Sequence, residues 1–127
     1  MGMYTGLRFK ADLSEKGLEV AASVIETRGW YVAAKILPAI KSWLQVGRRD
    51  MIPYGAVCYM PDGWKNSWDI EDGVWSVCCS LKNYESEIQT FLIDVLPYLV
   101  SGPVEVEYLY EESSEPSRRR IQPQQEN

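Results

Sequence analysis

The chain has no histidine. That absence removes the commonest general base at neutral pH, the Ser-His-Asp and Cys-His arrangements, and the commonest nitrogen ligand for metals. Cysteine is scarce too, with Cys58, Cys78 and Cys79 the only three. An odd number with one adjacent pair and no C-x-x-C spacing builds no disulfide framework. It suits a reducing cytoplasm. On a strand Cys78 and Cys79 point to opposite faces and cannot chelate one ion together, so core packing is the better reading. No apolar run approaches the roughly 18 residues of a membrane span. The opening MGMYTGLRFKADL carries no apolar leader core and no myristoylation pattern. No G-x-x-x-x-G-K phosphate loop occurs. Cofactors are therefore not expected, membrane contact is not expected, and a cytoplasmic location is.

What is present is enough for one domain: 127 residues, 46% of them hydrophobic. The net charge of −5 repels nucleic-acid backbones and favours either simple solubility or a basic partner. Residues 5–13 alternate, with Leu7, Phe9, Ala11 and Leu13 opposed to Arg8, Lys10 and Asp12, which predicts a half-buried strand. Ser14 is a good N-cap for a helix in which Leu18, Ala22 and Ile25 recur at helical spacing, ending near Arg28-Gly29. A second helical run over 30–46 carries Val32, Ile36, Ile40, Trp43 and Leu44 on one face, and Pro38 should kink or break it.

Residues 52–60 and 74–81 read as two strands joined by a long acidic loop holding Trp64 and Trp68. Asn83 then caps a helix whose stripe is Ile88, Phe91, Leu92, Val95, Leu96 and Leu99. Residues 104–110 form a last strand, and the polar segment 113–127, with Arg118 to Arg120, reads as a disordered tail. The expected fold is α+β: a ferredoxin-like βαββαβ sandwich over residues 1–112, an antiparallel sheet with helices on one face. The first and last strands would be neighbours, bringing Arg8 and Lys10 opposite Glu105 and Glu107. The strand VWSVCCSL is apolar on both sides, so both faces need cover. The long loop or a second copy, in a homodimer through this third strand, would supply it.

The loop acids Asp62, Asp69, Glu71 and Asp72 lack the D-x-D-x-D-G spacing of a calcium loop, and no metal is expected. Trp64 and Trp68 either fold back on the core or anchor a partner. Ser80 and Lys82 lack the S-x-x-K spacing of a Ser-Lys dyad. Arg48 and Arg49 follow a helix end, where cations offset the macrodipole; with Arg8 they are the alternative contacts for a phosphate. Glu105, Glu107, Glu111 and Glu112 give the last strand an acidic edge, a guard against strand pairing or a landing strip for a basic protein.

The segments IPYGAVCYMPDGW, DGVWSVCCSLKNYESEIQTFL and VEVEYLYEE resemble small acidic, tryptophan-rich phage and bacterial proteins of the inhibitor type, such as phage counter-defence and toxin-immunity proteins. The resemblance covers about residues 52–112 and implies a stoichiometric inhibitor; it carries no site residues. The reading that follows is a non-catalytic protein that binds a macromolecular partner through Trp64, Trp68, Asp69, Glu71 and Asp72. The alternative is an oligomeric small-ligand sponge, nucleotide-like in its ligand, using Arg8, Arg48 or Arg49.

Overall fold

A computed structural model of the chain describes residues 4–55 and 63–124. The elements run β1 (Thr5–Asp12), α1 (Glu15–Thr27), α2 (Tyr31–Ile36), a 3-10 helix (Pro38–Gln45), α3 (Met51–Tyr54), β2 (Ile70–Glu71) and β3 (Val74–Leu81). They continue with α4 (Glu87–Asp94), a 3-10 turn (Leu96–Tyr98), β4 (Val104–Tyr110) and β5 (Ser117–Ile121). The fold is α+β. Its open sheet has five strands in the order β2-β3-β1-β4-β5, each antiparallel to its neighbours.

Alternation decides which side of the sheet is covered. Phe9 sits opposite Val77 on one side and Val106 on the other, and Leu7 opposite Cys79 and Tyr108. These residues share one face with Trp75, and the helical layer lies on it. Phe9, Trp30, Trp43, Trp75 and Phe91 form a ring cluster with centroids 5.5–6.3 Å apart, mostly edge-to-face. Edge-to-face packing adds about 0.5–1.5 kcal/mol per pair beyond the area buried. The Trp30 indole N–H donates to the Ile52 carbonyl at 2.6 Å, so that ring is buried with its polar atom satisfied.

Several boundaries follow local chemistry. The Ser14 hydroxyl accepts the Gly17 N–H at 3.0 Å and starts α1; Arg28, at φ 62°, ends it. Leu37 is extended because proline follows, and Pro38 opens the 3-10 helix that replaces the second half of the expected long helix. The Asn83 side-chain oxygen accepts the Ile88 N–H at 2.8 Å at the start of α4. The stripe Ile88, Phe91, Leu92, Val95, Leu96 and Leu99 is buried throughout.

Four expectations change. The buried face of α1 is Gly17, Val20, Ala21 and Val24, whereas Leu18 and Ala22 are exposed. The reason is close approach: a methyl group on Gly17 would sit 1.9 Å from the Leu99 carbonyl oxygen, so the backbone itself is the packing surface. Second, Met51–Tyr54 is a short kinked segment, broken at Ile52 (φ −111°, ψ 117°), rather than the start of a strand, and residues 56–60 with Cys58, as well as Asp62, lie outside the described residues. The hairpin into β3 is instead short. Glu71 pairs with Val74 across Asp72-Gly73, both at positive φ (52° and 78°), as a two-residue hairpin turn requires. Third, residues 117–121 of the expected disordered tail form β5, with Ile121 buried in the core and the Gln124 N–H bonded to the Pro97 carbonyl. Fourth, β4 is therefore not an edge.

Candidate functional site

Among the described residues, the second face of the sheet carries no helix. Register assigns to it Arg8 and Lys10 of β1, Ser76 and Cys78 of β3, Glu105 and Glu107 of β4, and Arg118 and Arg120 of β5. The Ser67↔Cys78 bridge continues the β2–β3 register, so Ser67, Asp69 and Glu71 belong to this face as well, while Trp68 and Ile70 turn to the helical side. A groove of about 560 Å³ lies here, lined by Arg8, Lys10, Ser67, Ser76, Cys78 and Glu107, among others.

Arg8 organises the groove. Its Nε donates to Glu107 Oε1 at 2.9 Å, and its guanidinium lies 4.1 Å from the centre of the Trp64 ring. Trp64 thus roofs a cation whose charge is held from below. Glu107 also faces Arg118 at 3.5 Å, and Arg120 meets Glu105 at 3.3 Å. The hydrogen bond from Arg8 holds the Glu107 carboxyl below the ordinary range; partial burial opposes this, and the charges of Arg8 and Arg118 reinforce it. Of the two expected contacts between the first and last strands, Arg8 with Glu107 forms. Glu105 is taken by Arg120, and Lys10 has no ion-pair partner among the described residues.

The thiols of Cys78 and Cys79 are not poised as nucleophiles. Burial pushes Cys78 up, countered by the charge of Arg8 and a hydrogen bond from the Lys65 backbone. Cys79, on the helical side, is raised further by complete burial and by Cys78. Both stay protonated at neutral pH, where the thiolate is the reactive form. Ser80 is fully buried. Among the described residues no group of three or more Cys, Asp or Glu could hold a metal ion. Nor, among them, is any helix long and apolar enough to cross a membrane.

The residues expected to contact a partner separate. Trp64, Asp69 and Glu71 lie on the open face, and Asp72 lies at the hairpin tip. Trp68 packs on the other side, its ring 5.0 Å from Tyr54 and 5.8 Å from the Arg28 guanidinium. Tyr54 in turn donates to the Val24 and Ile25 carbonyls near the end of α1, both at 3.2 Å. Arg8, Arg48 and Arg49 do not converge. Arg48 donates to Glu87 Oε2 at 2.8 Å, where the Glu87 side chain is fully buried, and this bond raises the Arg48 pKa. Arg49 donates to the Leu44 and Val46 carbonyls, the capping role expected at a helix end.

The cover for β3 is found within one chain. Trp75, Val77, Cys79 and Leu81 meet the helical layer, and Cys78 is 7% exposed beneath the 64–67 segment. Among the described residues, Trp75, Val77, Cys78, Cys79 and Leu81 of this strand are all covered within one chain. Ser67 and Ser76 were not among the sequence candidates, and the β5 arginines were assigned to a tail; the complementary runs E-V-E and R-R-R were the visible signal for the latter. No family model, curated protein or solved structure matches the chain.

Proposed function

We propose that this is a non-catalytic binding protein that neutralises a macromolecular partner through the open face of its sheet, in the manner of a phage counter-defence or immunity-type inhibitor. The observation that carries this reading is Trp64 stacked on Arg8 above a charged groove. An aromatic anchor already held by a cation loses little freedom on binding. The surrounding face offers both signs of charge, which sets register and excludes wrong partners. The mechanism is steric and electrostatic blockade. The absence of histidine and the protonated thiols support a role without turnover. We also read β2-β3-β1-β4 with its helical layer as a ferredoxin-like sandwich to which β5 is added, on the ground that β1 lies between β3 and β4 with every neighbour antiparallel.

A second reading, a small-ligand sponge, is favoured by the groove's size, about 560 Å³, which falls within the usual span of ligand sites. Arg8 and Lys10 would face an anionic group such as a nucleotide phosphate. One experiment separates the two. The protein is captured gently from cells, once unaltered and once as Trp64→Ala with Lys10→Glu, and its bound material is measured by native mass spectrometry and proteomics. A protein co-purifying only with the unaltered chain supports the inhibitor. A reproducible extra mass of a few hundred daltons supports the sponge. Equal capture by both chains removes the open face from either reading.

A further inference from the structure

The two outermost strands of the sheet are opposites. β5 presents Arg118, Arg119 and Arg120; the 67–71 segment with the turn after it presents Asp69, Glu71 and Asp72. All six side chains lie at the solvent-facing margins of the sheet. Arg118 and Arg120 are 73% and 60% exposed even though each faces a glutamate of β4. Outermost strands carry unpaired backbone groups on one side. Here the segment 67–71 bonds inward to β3 through Ser67 and Asp69, so alternation turns the backbone N–H groups of Trp68 and Ile70 outward, while the Trp68 carbonyl accepts the Trp75 indole N–H at 2.9 Å.

We propose that copies of this chain associate head to tail, β5 of one against the 67–71 edge of the next, to continue the sheet. Four successive antiparallel neighbours make β2 and β5 run the same way, so a copy displaced sideways without inversion brings them together as a parallel pair of five residues each. The faces then match. On the open side Asp69 and Glu71 meet Arg118 and Arg120, extending the row Arg8, Glu107, Arg118 by one more alternation of sign. On the helical side Trp68 and Ile70 meet Arg119 and a hollow lined by Leu92, Ile93, Pro97 and Ile121. Ile93 is 53% exposed in the single chain and gains cover. Contacts between identical edges would oppose three like charges on each side, so closed twofold dimers through either edge are disfavoured. Unlike edges form a heterologous contact, which gives an open filament or a ring. The assignment gives Trp68, Asp69 and Glu71 to a neighbouring copy and leaves Trp64 and Arg8 for a foreign partner.

The test uses the purified full chain in analytical ultracentrifugation, from micromolar to millimolar protein at low and high salt. Mass should grow with concentration beyond roughly twice that of one chain and fall back with salt. Asp69→Lys with Glu71→Lys should be monomeric, as should Arg118→Glu with Arg120→Glu. An equimolar mixture of the two should associate again, because each supplies the edge the other has reversed. Far-UV circular dichroism checks that both variants fold; should the β5 variant lose its strand, the single change Arg118→Glu, mixed with the β2-edge variant, keeps the comparison. A chain that stays monomeric at millimolar concentration overturns the proposal. So does a dimer that both variants leave intact, or an acidic peptide whose addition shifts the β5 amides of a chain that never self-associates. None of these outcomes involves Trp64 or Arg8, so the reading of the open face stands or falls separately.

Discussion

One face of the sheet excludes water and the other is built from charge. On the helical side five aromatic rings interlock, and the core residues around them are almost without exposure. On the open side Arg8, Glu107, Arg118, Glu105 and Arg120 alternate in sign, with Trp64 laid over Arg8. Burial of apolar area is worth about 25 cal/mol per Å². An exposed ion pair contributes about 0–1 kcal/mol. The same strands therefore carry most of the stability on one side, and little of the folding free energy depends on the other.

Substitutions can test that division. The largest loss is expected on the helical side: Phe91→Ala, in contact with three other rings, should cost about 3–5 kcal/mol in urea unfolding. Gly17→Ala comes next. In an exposed helix this change gains about 1 kcal/mol, but the Leu99 carbonyl occupies the space a methyl group needs. A loss of about 1–3 kcal/mol is expected, and a rise in melting temperature would refute the packing described. Trp68→Ala and Trp64→Ala then compare the faces directly. Trp68, wedged on Tyr54, should cost about 1–2 kcal/mol. Trp64, held by one cation–π contact, should cost less than about 1 kcal/mol.

Acid provides a subtler probe of the open face. Glu107 is held below its ordinary carboxyl range, so its contribution is present above the unfolded value, near 4.5, and is lost as pH falls through the lower folded value. Melting temperature followed downward from neutral pH should drop in that acid window, and Glu107→Gln should flatten the drop. The smallest effect is expected for Glu105 with Arg120, both more than half exposed. A double-mutant cycle should return a coupling of about 0.2–1 kcal/mol that vanishes in high salt.

Much of this arrangement was legible in the residues. β1 and β4 followed from alternation, β3 from an apolar run that is buried on both sides, and α4 from a clean helical stripe. In β1 and β4 apolar residues alternate with charged ones, and in α4 they recur at helical spacing, so there the period identifies the buried face. α1 was misphased because its packing surface includes a glycine, which carries no hydrophobic signal. Asp72-Gly73 was a hairpin signal overlooked beside the longer loop. β5 was missed because SRRRI has one apolar residue, and its pairing rests on Glu105 and Glu107 of the preceding strand rather than on a hydrophobic pattern of its own. The two tryptophans looked equivalent in the loop. Their four-residue spacing on a strand would have put them on one face, but the ladder begins only at Ser67, and Trp64 precedes it.

By itself the sequence determined an α+β chain with a central apolar strand, a capped amphipathic helix and chemistry poor in catalytic groups. Those properties are local: they depend on residue type and on period. Only the tertiary structure decided that the acidic strand takes its basic counterpart from the same chain, that Trp64 and Trp68 serve opposite faces, and that the sheet ends in margins of opposite charge. Each depends on which distant segments meet, and no local propensity encodes that meeting.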